Sequence, residues 1–205
     1  LLKAKKIALS FSSRHMEYYT TRNFSNGTNY NGSYKVKDGT KSIAWGAFVK
    51  CTNLTSIAIP DGVTSIGYST FEHCTSLTSI AIPDSVTTIG ESAFSNCSSL
   101  SEIQLPDSIT SLGNGAFYYT AYHNEPSNWE DDVLYIGKYL VDTKNTFAGD
   151  YMVKAGTRLV ADSAFEHCAD LTSITFPGSV KFIGREAFDS CESLTSAVFE
   201  GSVES

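Results

Sequence analysis

Positive charge is scarce in this chain. Its 15 lysines and arginines are set against 22 aspartates and glutamates over 205 residues, a net charge of −7, with the acidic residues scattered rather than clustered. That balance argues against nucleic acid and anionic membrane surfaces as partners, since both select basic patches. No apolar run reaches the length of a bilayer-spanning helix, so no membrane insertion is expected in this region. Enzyme signatures are missing as well: there is no Gly-x-Ser-x-Gly elbow, phosphate loop, dinucleotide fingerprint or His-Glu-x-x-His pair. The expectation is therefore a non-enzymatic chain without cofactor, catalytic or metal residues. At the N-terminus, Lys3, Lys5 and Lys6 flank a short apolar run that lacks the h-region and cleavage site of a signal peptide, and residues 1–16 read equally as vector-derived.

Repetition takes the place of these motifs. Leu77, Ile80, Ile82, Pro83, Val86, Ile89, Gly90, Ala93, Phe94 and Cys97 form one unit of 23 residues, which restarts at Leu100. The preceding copy supplies Leu54, Ile57, Ile59, Pro60, Val63, Ile66, Gly67, Phe71 and Cys74; the following one supplies Ile103, Leu105, Pro106, Ile109, Leu112, Gly113, Ala116 and Phe117. The pattern returns at Leu171, Ile174, Phe176, Pro177, Val180, Ile183, Gly184, Ala187, Phe188 and Cys191. A fixed period of this size predicts a solenoid whose turns bury their apolar faces on one another.

The repeat also divides the chain. Residues 1–33 are read as an N-terminal segment and cap, and 34–205 as one repeat domain that stops partway through a turn. Leu-x-x-Ile-x-Ile-Pro predicts a short strand ended by proline, stacking into a parallel sheet, while the Gly and Ala-Phe part predicts a backbone bend followed by a short helical or irregular segment. The register loosens over 118–150. One reading takes 127–141 as a degenerate turn, with Trp129, Val133, Ile136 and Gly137 in the places of Ile82, Val86, Ile89 and Gly90. The favoured reading is a β-hairpin of Val133 to Ile136 and Tyr139 to Val141, closed by Gly137-Lys138 as a type II′ turn.

The unit LTSIAIPDSVTTIGESAFSNCSSL resembles the BspA-like, or Treponema pallidum type, leucine-rich repeat family over residues 34–203. Departures stand at Lys37 and Lys154, where proline is absent, and at Ala44 and Ala161, where glycine is absent. The resemblance implies a curved leucine-rich repeat solenoid in a secreted or cell-surface protein of bacteria or protists. It also implies adhesion to host or microbial proteins or glycans, and transfers no catalytic residue.

Residues with chemical potential fall mostly into the repeat. Cys51, Cys74, Cys97, Cys168 and Cys191 share one position and read as a buried ladder, with Thr120 in the matching place. His73 and His167 share a Glu-His-Cys context, and His123 has no visible partner. Glu130, Asp131 and Asp132 read as solvated surface rather than a Ca²⁺ site.

Two surfaces remain as candidate partner sites. The outward strand positions Thr78, Ser79, Ala81, Ser101, Glu102 and Gln104 form a small polar face without aromatic or arginine anchors. The irregular section concentrates aromatic residues, of which Tyr122 and Trp129 are expected to be exposed. A recognition module and a passive spacer in a larger surface protein both fit. The inward register predicts that Phe94→Ala lowers stability by about 3 to 5 kcal/mol through a cavity, while Thr87→Ala is nearly neutral. Equal thermal shifts for the two variants would refute it.

Overall fold

The structure, a computed structural model, describes residues 32–202 together with the strand Tyr18–Tyr19. The greater part of the expected cap over 1–33, including the residues read as vector-derived, lies outside the described residues, as do residues 203–205 of the expected repeat domain.

Each regular turn contributes two strands. The first is the Leu-x-x-Ile segment, seen at Gly32–Lys35, Leu54–Ala58, Ser79–Ala81 and Glu102–Gln104, then at Ala148–Met152, Asp170–Phe176 and Ser196–Phe199. Where neighbours pair they do so in parallel at the repeat spacing, Tyr34 with Ile57, Ile80 with Ile103 and Ile174 with Ala197. The second strand has two residues, at Ser42–Ile43, Ser65–Ile66, Thr88–Ile89 and Ser111–Leu112, and later at Leu159–Val160 and Phe182–Ile183. Tyr18–Tyr19 adds to the first of these. The turn therefore carries two ladders where the pattern led us to expect one sheet. A strand of two residues is too short to leave a period in the sequence.

The Ala-Phe segment is irregular rather than helical. A helix would direct each amide to a carbonyl four residues back. Here Phe48, Phe71, Phe94 and Phe165 donate instead to Thr70, Ala93, Ala116 and Ala187 of the next turn, at 2.8, 2.7, 2.7 and 2.8 Å. Two residues per turn accordingly adopt left-handed backbone. The first column is Gly46, Ser69, Ser92, Gly115, Ser163 and Glu186; the second is Lys50, His73, Asn96, Tyr119, His167 and Ser190, all with φ between 48° and 61° or up to 63° at His167. This accounts for the repeated Glu-His-Cys: histidine tolerates that conformation better than most residues.

Inside the turns, identical side chains stack. Phe48, Phe71, Phe94 and Phe117 lie with ring centroids 5.2, 5.1 and 5.3 Å apart and nearly parallel, and Phe165 stacks on Phe188 at 5.2 Å. The cysteines form the expected ladder, all five unpaired. The thiols of Cys74, Cys97 and Cys191 donate to the carbonyls of Phe48, Phe71 and Phe165 in the preceding turn at 3.1, 3.1 and 3.0 Å. Lys37 and Lys154 preserve the turn that proline makes elsewhere. Val86 closes on the Pro83 carbonyl at 3.0 Å, and Thr40 and Thr157 do the same on Lys37 and Lys154 at 3.2 and 3.1 Å. Their hydroxyls also donate to those carbonyls, which satisfies a threonine in a buried valine column.

The repeated glycine has a different reason from the bend read in the sequence. Gly67, Gly90, Gly113 and Gly184 do not have positive φ; each is pressed against the backbone of the turn before it. A Cβ on Gly113 would stand 2.2 Å from Glu91 N, and one on Gly184 would stand 2.3 Å from Asp162 N. Ala161 follows the hairpin and so does not rest on a regular predecessor, while the residues 23 places before Ala44 lie outside the described residues. Gly113→Ala should therefore cost about 1 to 3 kcal/mol by overpacking. Ala161→Gly should cost less than about 1 kcal/mol, and urea titrations of the two variants check the order.

Burial sets the response to alkali. It pushes the thiols of Cys168 and Cys191 and the phenols of Tyr139 and Tyr151 above their ordinary values. The folded chain then keeps protons that the unfolded chain releases, so stability is full at neutral pH and falls as pH rises through about 8.5 to 10. Urea midpoints measured across that range should decline steadily; a flat profile would contradict the burial of these groups.

Candidate functional site

The repeat breaks just after Phe117. Thr120 occupies the cysteine position because a helix starts there: its hydroxyl accepts from the His123 amide at 3.0 Å and caps Ala121–Asn124. A short 3₁₀ turn at Pro126–Asn128 leads into the strand Trp129–Glu130, which pairs antiparallel with Val133–Ile136. Asp131 and Asp132 link them with φ of 48° and 63°, the two positive values of a type I′ turn. The acidic run is thus a turn, and its flanks are paired. Glu130 holds Lys154 at 2.9 Å through both carboxylate oxygens, and Asp132 holds Lys144. Among the described residues no cluster of potential ligands has the makings of a metal site.

The favoured hairpin forms. Val133–Ile136 turns back through Gly137, at φ 60°, into Tyr139–Thr143. Tyr139 and Leu140 then pair in parallel with Leu159 and Val160, so this strand, and not Ile136-Gly137, takes the second-ladder place. The degenerate-turn reading is excluded by that register. Antiparallel pairing cannot continue the stack from Ser111–Leu112, whose ladder ends there. The Leu112 carbonyl is instead met by the Asp162 amide at 2.9 Å, one place further along the solenoid.

Beside this break lies an open depression of about 600 Å³ lined in part by Tyr118, Tyr119, His123, Trp129, Asp142 and Lys144. Asp142 organises it. Buried to 8% exposure, it accepts from His123 Nε2 at 3.0 Å on one oxygen, and from Tyr118 Oη and the Thr143 amide at 3.2 and 2.9 Å on the other. Burial, reinforced by this carboxylate, pushes the Tyr118 phenol up, so it acts as a donor. His123 therefore has a partner nineteen residues on, which no local spacing reveals. The Trp129 indole N–H donates to the His123 carbonyl at 2.7 Å, and its ring meets the imidazole edge-on at 5.2 Å. Lys144 Nζ stands 5.4 Å from the indole centroid. The Thr143 hydroxyl points away, donating to the Ala164 carbonyl at 2.7 Å.

The sequence candidates separate here. Trp129 lines the depression but is half-buried, and Tyr122 does not line it. The Tyr122 ring packs on the core and its hydroxyl donates to the Tyr135 carbonyl at 2.9 Å, so it braces the hairpin instead of facing a partner. The exposed ring is Tyr119, at 59%, which the aromatic concentration included but did not single out. On the strand face, Thr78, Ser79, Ala81, Ser101, Glu102 and Gln104 are all exposed, with Ser79 beside Glu102 and Ala81 beside Gln104. In the separate three-stranded sheet further along, larger apolar groups take the Ala81 place on either side of Thr175, Met152 at 73% and Val198 at 49% exposure. Sequence reasoning missed the exposed pair Trp45 and Tyr68, whose rings lie 6.4 Å apart. Their shared place, one residue past the Gly column, was the available signal.

The family profile described as BspA type leucine-rich repeat region, with six copies, matches residues 17–147 and 152–205. No curated protein is matched. Among solved structures the chain is similar to the leucine-rich repeat protein of T. pallidum, with 24% identity, 84% of this chain and 72% of that one covered, and a TM-score of 0.46. It is similar also to the pneumococcal vaccine antigen PcpA, at 17% identity, covering 89% of this chain and 54% of that one with a TM-score of 0.41. A leucine-rich cell surface protein of Faecalibacterium prausnitzii gives 22% identity, 83% and 60% coverage and a TM-score of 0.31. The profile match takes in most of the chain, including the stacked Phe column and the close-packed glycines, and the chain belongs to the BspA type of leucine-rich repeat proteins.

Proposed function

We propose that this chain is a non-enzymatic recognition module of an extracellular, cell-surface protein, and that it engages its partner at the irregular section. Membership in the BspA type of repeat, a family of bacterial surface proteins, supports the setting. The observation that carries the site is the depression beside the hairpin, where a rigid wall of Asp142, His123 and Trp129 stands next to the exposed Tyr119 ring. Elsewhere a turn repeats its neighbour, so its surface offers one motif many times; here the chain offers a surface found once among the described residues. Insertions into repeats commonly carry binding for that reason. Among the described residues nothing in the arrangement points to catalysis: of the hydroxyls beside the His123–Asp142 pair, that of Thr143 donates to the Ala164 carbonyl and that of Tyr118 to Asp142.

A spacer function is the second reading, favoured by the small polar face from Thr78 to Gln104, which lacks aromatic or arginine anchors. Binding to immobilised host matrix proteins and to a glycan panel separates the two. Saturable binding is expected for the native chain, retained when Glu102→Arg and Gln104→Arg block the strand face, and lost with Tyr119→Asn. Silence of the native chain at about 100 μM, where weak interfaces register, leaves the spacer.

A further inference from the structure

The recognition reading leaves the chemistry of the ligand open, and the lining of the depression narrows it. We propose that the depression binds a neutral saccharide, with Tyr119 as the stacking platform and Trp129 as the side wall.

Four observations converge on that class. The first concerns backbone. Tyr119 occupies the left-handed position that Lys50, His73, Asn96, His167 and Ser190 hold in other turns, at φ 59°, and its bulky ring suits that backbone less well than Asn or His does. Core burial does not compensate, since the side chain is 59% exposed. Strain kept at an exposed residue points to use at the surface.

The second is rigidity. Tyr118, Tyr119, His123 and Trp129 form a continuous run of ring contacts, with centroids 6.2, 5.3, 6.2 and 5.2 Å apart for the pairs Tyr118–Tyr119, Tyr118–His123, Tyr119–His123 and His123–Trp129. Asp142 braces Tyr118 and His123, the His123 carbonyl braces Trp129, and Tyr119 rests on Tyr118 and His123 through its ring contacts. A pre-organised aromatic surface loses little entropy when a flat apolar ligand face settles on it.

The third is charge. The two charged side chains of the lining are already partnered within the chain, Asp142 by His123 and Lys144 by Asp132. An acidic or basic ligand would have to compete with those pairs, whereas an uncharged one leaves them intact. The fourth is the rim. Asn124 and Asn145 are exposed at the edge of the depression and present amide donors and acceptors, which suit the hydroxyl groups of a sugar. An extended peptide has less to grip, because the neighbouring edge strand Trp129–Glu130 is only two residues long and cannot template strand addition. Together these features match a pyranose ring, whose C–H face is apolar and whose perimeter is polar.

This inference rests on the recognition reading, and the test keeps the two apart. The native chain is titrated with methyl glycosides of glucose, galactose and N-acetylglucosamine and with their short oligosaccharides, by saturation-transfer NMR and tryptophan fluorescence. Tyr119→Asn is the variant of choice, since Asn96 already fills the equivalent position and the fold is kept; a thermal melt verifies this. Saturable binding with Kd near or below about 1 mM, weakened at least tenfold by Tyr119→Asn and unaffected by Glu102→Arg, is the expected result. Saccharide binding that survives Tyr119→Asn overturns the assignment of the site. Binding to matrix proteins with no response to any saccharide overturns the ligand class while leaving the recognition module standing. Silence toward both classes overturns both.

Discussion

Everything in this molecule depends on the distance between successive turns. Backbone amides of one turn donate to carbonyls of the next at the two strand segments and again through the Ala-Phe segment, where Phe71 N meets Ala93 O at 2.7 Å and His73 N meets Ser95 O at 2.9 Å. Bonding of this kind fixes the turns at the spacing of adjacent strands. Aromatic rings, thiols and glycines must then fit that spacing. Phenylalanines can stack nearly parallel at 5.1 Å, cysteines can reach a carbonyl of the turn before, and no Cβ is admitted where Gly113 crosses Glu91. The repeat in the sequence is the imprint of one contact distance applied again and again.

The same constraint explains what happens where the repeat fails. A turn that carries an antiparallel hairpin cannot present parallel partners on both sides, so the second ladder divides into one group ending at Ser111–Leu112 and another that includes Tyr139–Thr143. Aromatic side chains that a regular turn would place in the core are redistributed around the break. Some close the core, as Tyr139 does with its hydroxyl on the Pro106 carbonyl, and some brace the hairpin, as Tyr122 does. Tyr118, Tyr119 and Trp129 are left around Asp142. The depression is a consequence of ending one ladder and starting another, not an addition to a finished solenoid.

Polarity within that depression is handled in the manner of a buried network. Asp142 has three donors for its two oxygens, which stabilises a carboxylate that burial would otherwise disfavour. Its partners come from three separate places, the end of the last regular turn, the short helix and the hairpin strand. One side chain therefore ties these three elements together and sets the orientation of the Tyr118 and His123 rings. The strand face around Ser79 and Glu102 has no comparable feature, being small side chains on a flat ladder.

By itself the sequence determined the solenoid, its period, the inward columns of Leu, Ile, Phe and Cys, and the hairpin at Gly137, because each is written in local spacing that recurs or in a turn residue with few alternatives. Ser65–Ile66 escaped because two residues carry no periodicity, and the glycines were attributed to bending because only the neighbouring turn shows what a Cβ would strike. His123 and Asp142 lie nineteen residues apart on different elements, and Tyr119 differs from Tyr122 only in which way the interrupted turn faces it. Those matters were decided by tertiary structure alone, since a repeat specifies contacts at its own period and the site is built from residues that have left it.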